Sequence, residues 1–155
     1  MKTYTTNIIV ALVLSFSCQA YADIDTAQQL VKRYEAIAKM QDSTYTGSSA
    51  SEGKSFFYRE VIQFKGDRQN PGKPLACASC HTKNPADFGK HIVTGKKIKP
   101  LSPVVNAKRF DDIEHVEKQF TEHCNEIIGS DCTPQEKANY IAFLIEEKTP
   151  SLGKK

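Results

Sequence analysis

The sequence predicts an all-α protein, and three observations predict it. Apolar residues recur at helical spacing in four separate stretches. Several of those stretches open or close on recognisable caps. The connecting segments are rich in Gly, Pro, Ser and Thr and offer no convincing strand.

Residues 1–22 read as a removable secretory signal. Lys2 supplies the positive start, Ile8 to Phe16 the apolar core, and Ala20-Tyr21-Ala22 a small-residue cleavage site. That core is too short to span a membrane, and no other span follows. The mature chain of 133 residues is then one domain, 23–147, with 148–155 as a flexible tail. Asp25 with Gln28 reads as a capping box, opening a helix whose inner face carries Ala27, Leu30, Val31, Tyr34, Ile37 and Ala38. A Ser/Thr/Gly-rich loop runs over 41–51, and a short helix over Glu52 to about Gln63 carries Phe56, Phe57, Val61 and Ile62. Gly53 inside it marks a close approach by another element. The segments 64–76 and 82–109 lack a clear period and hold several prolines; a loop as long as the second needs something to pack against. Asp111 or Asp112 caps the next helix, which closes near Gly129 at the C′ position. Thr133-Pro134-Gln135-Glu136 combines a cap, a first-turn proline and a Glu at the third position, and opens the last helix.

Cys77-Ala78-Ser79-Cys80-His81 is the stretch on which function turns. Two cysteines three apart followed at once by histidine form the signature of covalent haem attachment. One helical turn carries both thiols to one edge of a porphyrin, and His81 offers its nitrogen to the iron. Other readings compete: a thioredoxin-like redox pair, which would sit in a βαβ pattern; a zinc site borrowing His123 and Cys124, although a second CxxC is missing; or a plain Cys77–Cys80 disulfide. The export signal favours haem. It also suits the remaining cysteines: Cys18 leaves with the signal, and Cys124 and Cys132 are left as a pair that an oxidising compartment would join.

The methionines are Met1, in the signal, and Met40, upstream of the haem motif, so a downstream methionine ligand is excluded. Besides His81 there are His91, His115 and His123. At about 100° per residue, His123 projects between Phe120 and Ile127 in the apolar stripe of its helix. His115 falls toward the polar side, and His91 sits in a loop. His123 is the first choice for the sixth ligand; His91, His115, Asn106 and a site with no protein ligand stay open. Arg109 is a candidate partner for a haem propionate, since guanidinium matches carboxylate geometry. Backbone carbonyls of Pro100–Pro103 are candidates to accept from the His81 ring.

An ordered series of residues then resembles one family. It comprises Leu30 with Tyr34-Glu35-Ala36, the Cys77–His81 motif, Thr94-Gly95-Lys96, Pro100-Leu101-Ser102-Pro103, Arg109-Phe110 and Val116-Glu117-Lys118. It continues with Cys124-Asn125, Ile128-Gly129, Asp131-Cys132-Thr133-Pro134 and Glu136-Lys137. Together these resemble the sphaeroides haem protein family of oxygen-binding monohaem c-type cytochromes. The resemblance implies a class I cytochrome c-like fold around one covalent haem, with an extra N-terminal helix. Gly53 is then the crossing point of two helices, with Phe143 beside it. It implies a Cys124–Cys132 disulfide, and electron exchange with a dihaem cytochrome c and a membrane cytochrome b. One departure matters: His123 stands where the family's prototype has a displaceable asparagine ligand. Imidazole holds iron better than a carboxamide, so the expectation is electron transfer in the periplasm with His81/His123 ligation. The alternative is a haem protein that binds oxygen or nitric oxide when the distal ligand leaves.

Other classes fare poorly. A formal charge of +3, or +2 without Lys2, is too small to argue for nucleic acid. No acid/base pair accompanies the haem motif, so the expectation is a carrier and not an enzyme. Lys90, Lys96, Lys97 and Lys99 cluster after the motif and would steer an acidic partner if they ring the haem edge.

Overall fold

The computed structural model describes residues 19–62 and 72–151, with the side chains of 19–23 left out. Most of the expected signal and all of 152–155 lie outside the described residues. The architecture is five helices and one short hairpin: α1 Gln19–Gln41, α2 Ala50–Tyr58, α3 Cys77–His81, β1 Gly89–Lys90, β2 Lys97–Ile98, α4 Ile113–Ile127 and α5 Pro134–Glu146. Among the described residues no helix is long and apolar enough to cross a membrane.

Capping chemistry explains most boundaries. Ser49 accepts from the Glu52 N–H and opens α2. Asp112, not Asp111, caps α4 by accepting from the His115 N–H at 3.0 Å. At the other end Gly129 takes a positive φ of 87° and donates to the Cys124 carbonyl. Thr133 and Glu136 form a reciprocal box at the start of α5, the Glu136 N–H to the Thr133 hydroxyl at 3.1 Å and the Thr133 N–H to the Glu136 carboxylate at 2.9 Å.

Some boundaries differ from expectation. α1 runs back through Asp25, which lies inside the helix and not at its cap; Ala20 and Ala22 are strong helix formers and carry it on. α2 stops at Tyr58. Val61 leaves the helix to pair with Leu75 in an antiparallel bridge, 2.9 and 3.0 Å across its two bonds, as suits a β-branched residue. The loop after the haem motif contains a two-stranded antiparallel hairpin that periodicity did not reveal, two residues per strand being too few to show a period. The expected flexible tail is tied down as far as Ser151. The Thr149 carbonyl accepts from Asn84, and the Ser151 N–H donates to Asp87 at 2.7 Å.

The core forms where α5 packs on both α1 and α2. Ala27, Leu30, Phe57, Ile141, Phe143 and Leu144 fill it. Gly53 is the crossing point of α2 and α5: a Cβ there would stand 1.9 Å from the Asn139 carbonyl oxygen and 3.0 Å from the Phe143 Cβ. Asn139, buried at this crossing, accepts from the Ser49 N–H at 2.7 Å, and its amide and the Glu52 carboxylate are also 2.7 Å apart. A polar residue on the inner face of α5 was the signal for this brace, which sequence reasoning missed.

Candidate haem site

The haem motif folds as one helical turn, as its spacing requires. Ala76 opens α3, and the Ser79 hydroxyl accepts from the Ala76 N–H at 3.0 Å. Cys77 and Cys80 are free and half-buried. Burial pushes the Cys77 thiol up to about 11, the opposite of what an activated redox thiol needs. Immediately after His81 the chain turns sharply at Thr82, which has φ 63° and ψ 179°, a region normally left to glycine. Its hydroxyl braces the turn, donating to the Asn84 carbonyl. Gly89 then lies flat on the motif, where a Cβ would be 2.3 Å from the Cys80 carbonyl oxygen.

α4 is tied to the rest of the fold by specific links. Phe120 packs edge-on against Tyr34 at 6.0 Å and Tyr140 at 5.8 Å. Lys137 pairs with Glu117 at 3.1 Å. Cys124 and Cys132 are joined as a disulfide with Cα atoms 5.6 Å apart. The zinc alternative loses Cys124 by this, and among the described residues no three His, Cys, Asp or Glu side chains converge to hold a metal.

These links bring His123 to His81. Their ring centroids are 6.5 Å apart with planes tilted by 40°. His123 is exposed and not embedded in the apolar stripe expected of it, because that side of α4 looks toward the haem motif and not into the core. Its Nδ1 is 3.0 Å from the Gln119 carbonyl; the ring must donate there, which leaves Nε2 unprotonated in the neutral form. His81 is pushed down to about 4 by burial, with Arg109 and His123 adding to the shift, so its imidazole is neutral near pH 7.

The other candidate ligands are engaged elsewhere or stand away from His123 on α4. His91 Nδ1 accepts from the Val93 and Thr94 N–H groups at 3.2 Å each, closing the hairpin turn. His115 lies two turns from His123, about 12 Å along α4. The Asn106 amide donates to the Pro100 carbonyl at 2.9 Å, taking up one acceptor expected for His81. The Arg109 charge bears on both His81 and Tyr140, and its Nε is buried without a hydrogen-bond partner among the described residues. A buried guanidinium nitrogen without an acceptor suits a carboxylate-bearing cofactor. Two thiols on one turn, a neutral imidazole beside them and this arginine fit a haem.

Comparison with known proteins agrees. A family model described as "Domain of unknown function (DUF1924)" matches residues 43–144. Cytochrome c'' of Methylophilus methylotrophus is 49% identical over 145 residues, covering 94% of this chain and 96% of that protein. The chain belongs to this family. The cytochrome c-type protein SHP of Cereibacter sphaeroides is 35% identical over 127 residues, 81% of this chain and 87% of that one. The crystal structure of oxidized cytochrome c'' superposes with a TM-score of 0.75 at 50% identity, covering 83% of this chain and 99% of that chain. Oxidized SHP, described as an oxygen-binding cytochrome c, gives 0.61 at 34% identity over 76% of this chain and 94% of that one. The fold is therefore the all-α class I cytochrome c-like fold, and the protein is a c-type cytochrome whose cofactor is a covalently bound haem with its iron.

Proposed function

We propose that this cytochrome is an exported electron carrier, its haem tethered by Cys77 and Cys80 and its iron held between His81 and His123. One observation carries the reading. An imidazole nitrogen lies about 2 Å from a transition metal it ligates and about 1 Å from its own ring centre. Two imidazoles sharing one ion therefore have centres roughly 6 to 6.5 Å apart, and His81 and His123 stand at 6.5 Å.

When bound, the haem supplies a one-electron ferric/ferrous couple. The chain's own residues do the rest. The Gln119 carbonyl sets the His123 tautomer and aims Nε2. Arg109 offers its buried Nε to a propionate. The Cys124–Cys132 disulfide pins the residue next to His123. Two fixed imidazoles mean little rearrangement per electron, and without a thioether ligand the potential lies below that of Met/His cytochromes. The signal-like pattern of residues 1–22 supports a periplasmic location. A dihaem cytochrome c and a membrane cytochrome b are the exchange partners that its resemblance to the sphaeroides haem protein family implies. The role is carriage and not catalysis.

Absorption and electron paramagnetic resonance of the ferric holoprotein test this. A low-spin signal is expected, converting to high-spin in His123→Ala. A high-spin wild type, or a spectrum indifferent to that substitution, defeats the reading.

A second reading has its own support. His123 is exposed, a solution structure of the Methylophilus cytochrome addresses haem-ligand detachment, and SHP is described as oxygen-binding. A distal imidazole that leaves would make this chain a small-ligand binder. Rapid carbon monoxide binding by the ferrous holoprotein would favour that reading, and a sixth site closed in both oxidation states would favour the carrier. If the disulfide governs release, its reduction must change carbon monoxide binding.

A further inference from the structure

Between Asp87 and Asp111 the chain carries no acidic residue, while Lys90, Lys96, Lys97, Lys99, Lys108 and Arg109 all fall there. Those six leave fifteen basic against eighteen acidic residues elsewhere, a net charge of −3 in a chain whose total is +3. Acidic residues outnumber basic ones in the rest of the chain taken together, and the fold puts this acid-free basic segment in a definite place. Gly89 seats β1 on the backbone of Cys80 and His81, so close that no side chain could intervene. The hairpin therefore stands beside the haem motif.

Its outer surface is unusual in a second way. Val93 is 83% exposed, Phe88 54% and Ile92 51%, three large apolar side chains within six residues. Lys97 lies over the Phe88 ring at 3.8 Å. Lys90, Lys96 and Lys99 are exposed too, and none of the four lysines takes part in a salt bridge among the described residues. Asp87, the nearest acid in sequence, accepts from the Ser151 backbone N–H. Apolar side chains ringed by lysines with no internal counter-charge make a surface suited to a brief, steered encounter.

We propose that the Phe88–Lys99 hairpin is the docking face for an acidic redox protein, bringing the partner's carboxylates onto Lys90, Lys96, Lys97 and Lys99 and its apolar centre onto Ile92 and Val93. This rests on the electron-carrier reading and gives it a direction: one electron crosses beside α3, the donor being oxidised and the haem reduced, with no bond made or broken.

The holoprotein, labelled with ¹⁵N, is titrated with an oxidised plant-type ferredoxin, a small acidic iron–sulfur protein, so that binding is read without electron transfer. Amide shifts are expected to cluster over 88–99 and to fade as salt rises. Lys96→Glu with Lys97→Glu should weaken binding about tenfold or more. Lys96→Gln with Lys99→Gln should flatten the salt dependence at unchanged thermal stability. Shifts mapping elsewhere, or affinity indifferent to these changes, overturn the proposal. So does lysine-dependent sedimentation with phosphatidylglycerol vesicles when ferredoxin fails to bind, since the face would then belong to a membrane. Reduction by the electrically neutral semiquinone of lumiflavin separates the two levels. If the neutral flavin cannot reduce the haem, the carrier reading itself fails; if it reduces wild type and Lys96→Glu/Lys97→Glu equally while ferredoxin ignores the hairpin, only the docking face is wrong.

Discussion

Replacing Gly53 by alanine sets two effects of opposite sign against each other. In an exposed helix the change would stabilise by about 1 kcal/mol, because glycine is the poorer helix former. Here the new methyl would stand 1.9 Å from the Asn139 carbonyl oxygen, 2.4 Å from its carbon and 3.0 Å from the Phe143 Cβ. Carbon and oxygen need about 3.3 Å even in close contacts, so α2 and α5 must part by more than 1 Å, roughly. Overpacking of this kind costs about 1–3 kcal/mol. Moving Asn139 also strains its bonds to Ser49 and Glu52, each worth about 1 kcal/mol. Destabilisation wins, by about 2–4 kcal/mol net. At roughly 2–4 °C per kcal/mol for a chain of this size, Gly53→Ala should melt about 5–15 °C below wild type. Thermal unfolding of the holoprotein, followed by far-ultraviolet circular dichroism, measures this, with Ser51→Ala on the exposed side of α2 as the control. A Gly53→Ala protein that melts with wild type would show that the helices do not cross at that glycine.

Other outcomes follow from the same geometry. Gly89→Ala puts a methyl 2.3 Å from the Cys80 carbonyl oxygen, and the yield of covalently attached haem, read by haem-stained gel and absorbance, should fall while a Gly95→Ala control retains it. Thr133→Ala removes the α5 capping box and should cost about 1 kcal/mol, visible as a lower urea midpoint at unchanged slope. Replacing Cys124 and Cys132 together by serine opens a loop of separation 8. The chain-entropy relation assigns that loop about 2.5 kcal/mol, and the same urea titration should show the loss. Burial alone would raise the Glu117 carboxyl, but the Tyr34 phenol and the Lys137 ammonium outweigh it and hold Glu117 below the usual carboxylate range. A depressed folded value means stability that is present above the usual range and lost as pH falls through the folded one. Glu117→Gln should therefore flatten the acid side of the stability profile, and an unchanged profile would remove Glu117 from it.

Much of the local structure was legible in the residues alone. The box at Thr133–Glu136, the cap at Asp112 and the C′ glycine at 129 involve neighbours within a turn, so adjacent side chains specify them. Where the reading slipped, competition was the cause: Val61 was periodic with the helix but had a partner at Leu75, and Asp25 could cap only if the helix began there. The hairpin at 89–98 left no periodic trace because its strands are two residues each.

The sequence by itself determined the helices, their caps and the chemistry carried by Cys77, Cys80 and His81, since each depends on spacing along one short stretch. Only the tertiary structure decided that His123 and not His91 or His115 stands across from His81, that Asn139 braces the Gly53 crossing, and that the lysines after the motif come to lie beside it. Those pairings reach across as many as 90 positions, from Ser49 to Asn139. Such distances are set by how whole helices pack, through Phe120, the disulfide and the Glu117–Lys137 pair together, and no local pattern encodes that sum.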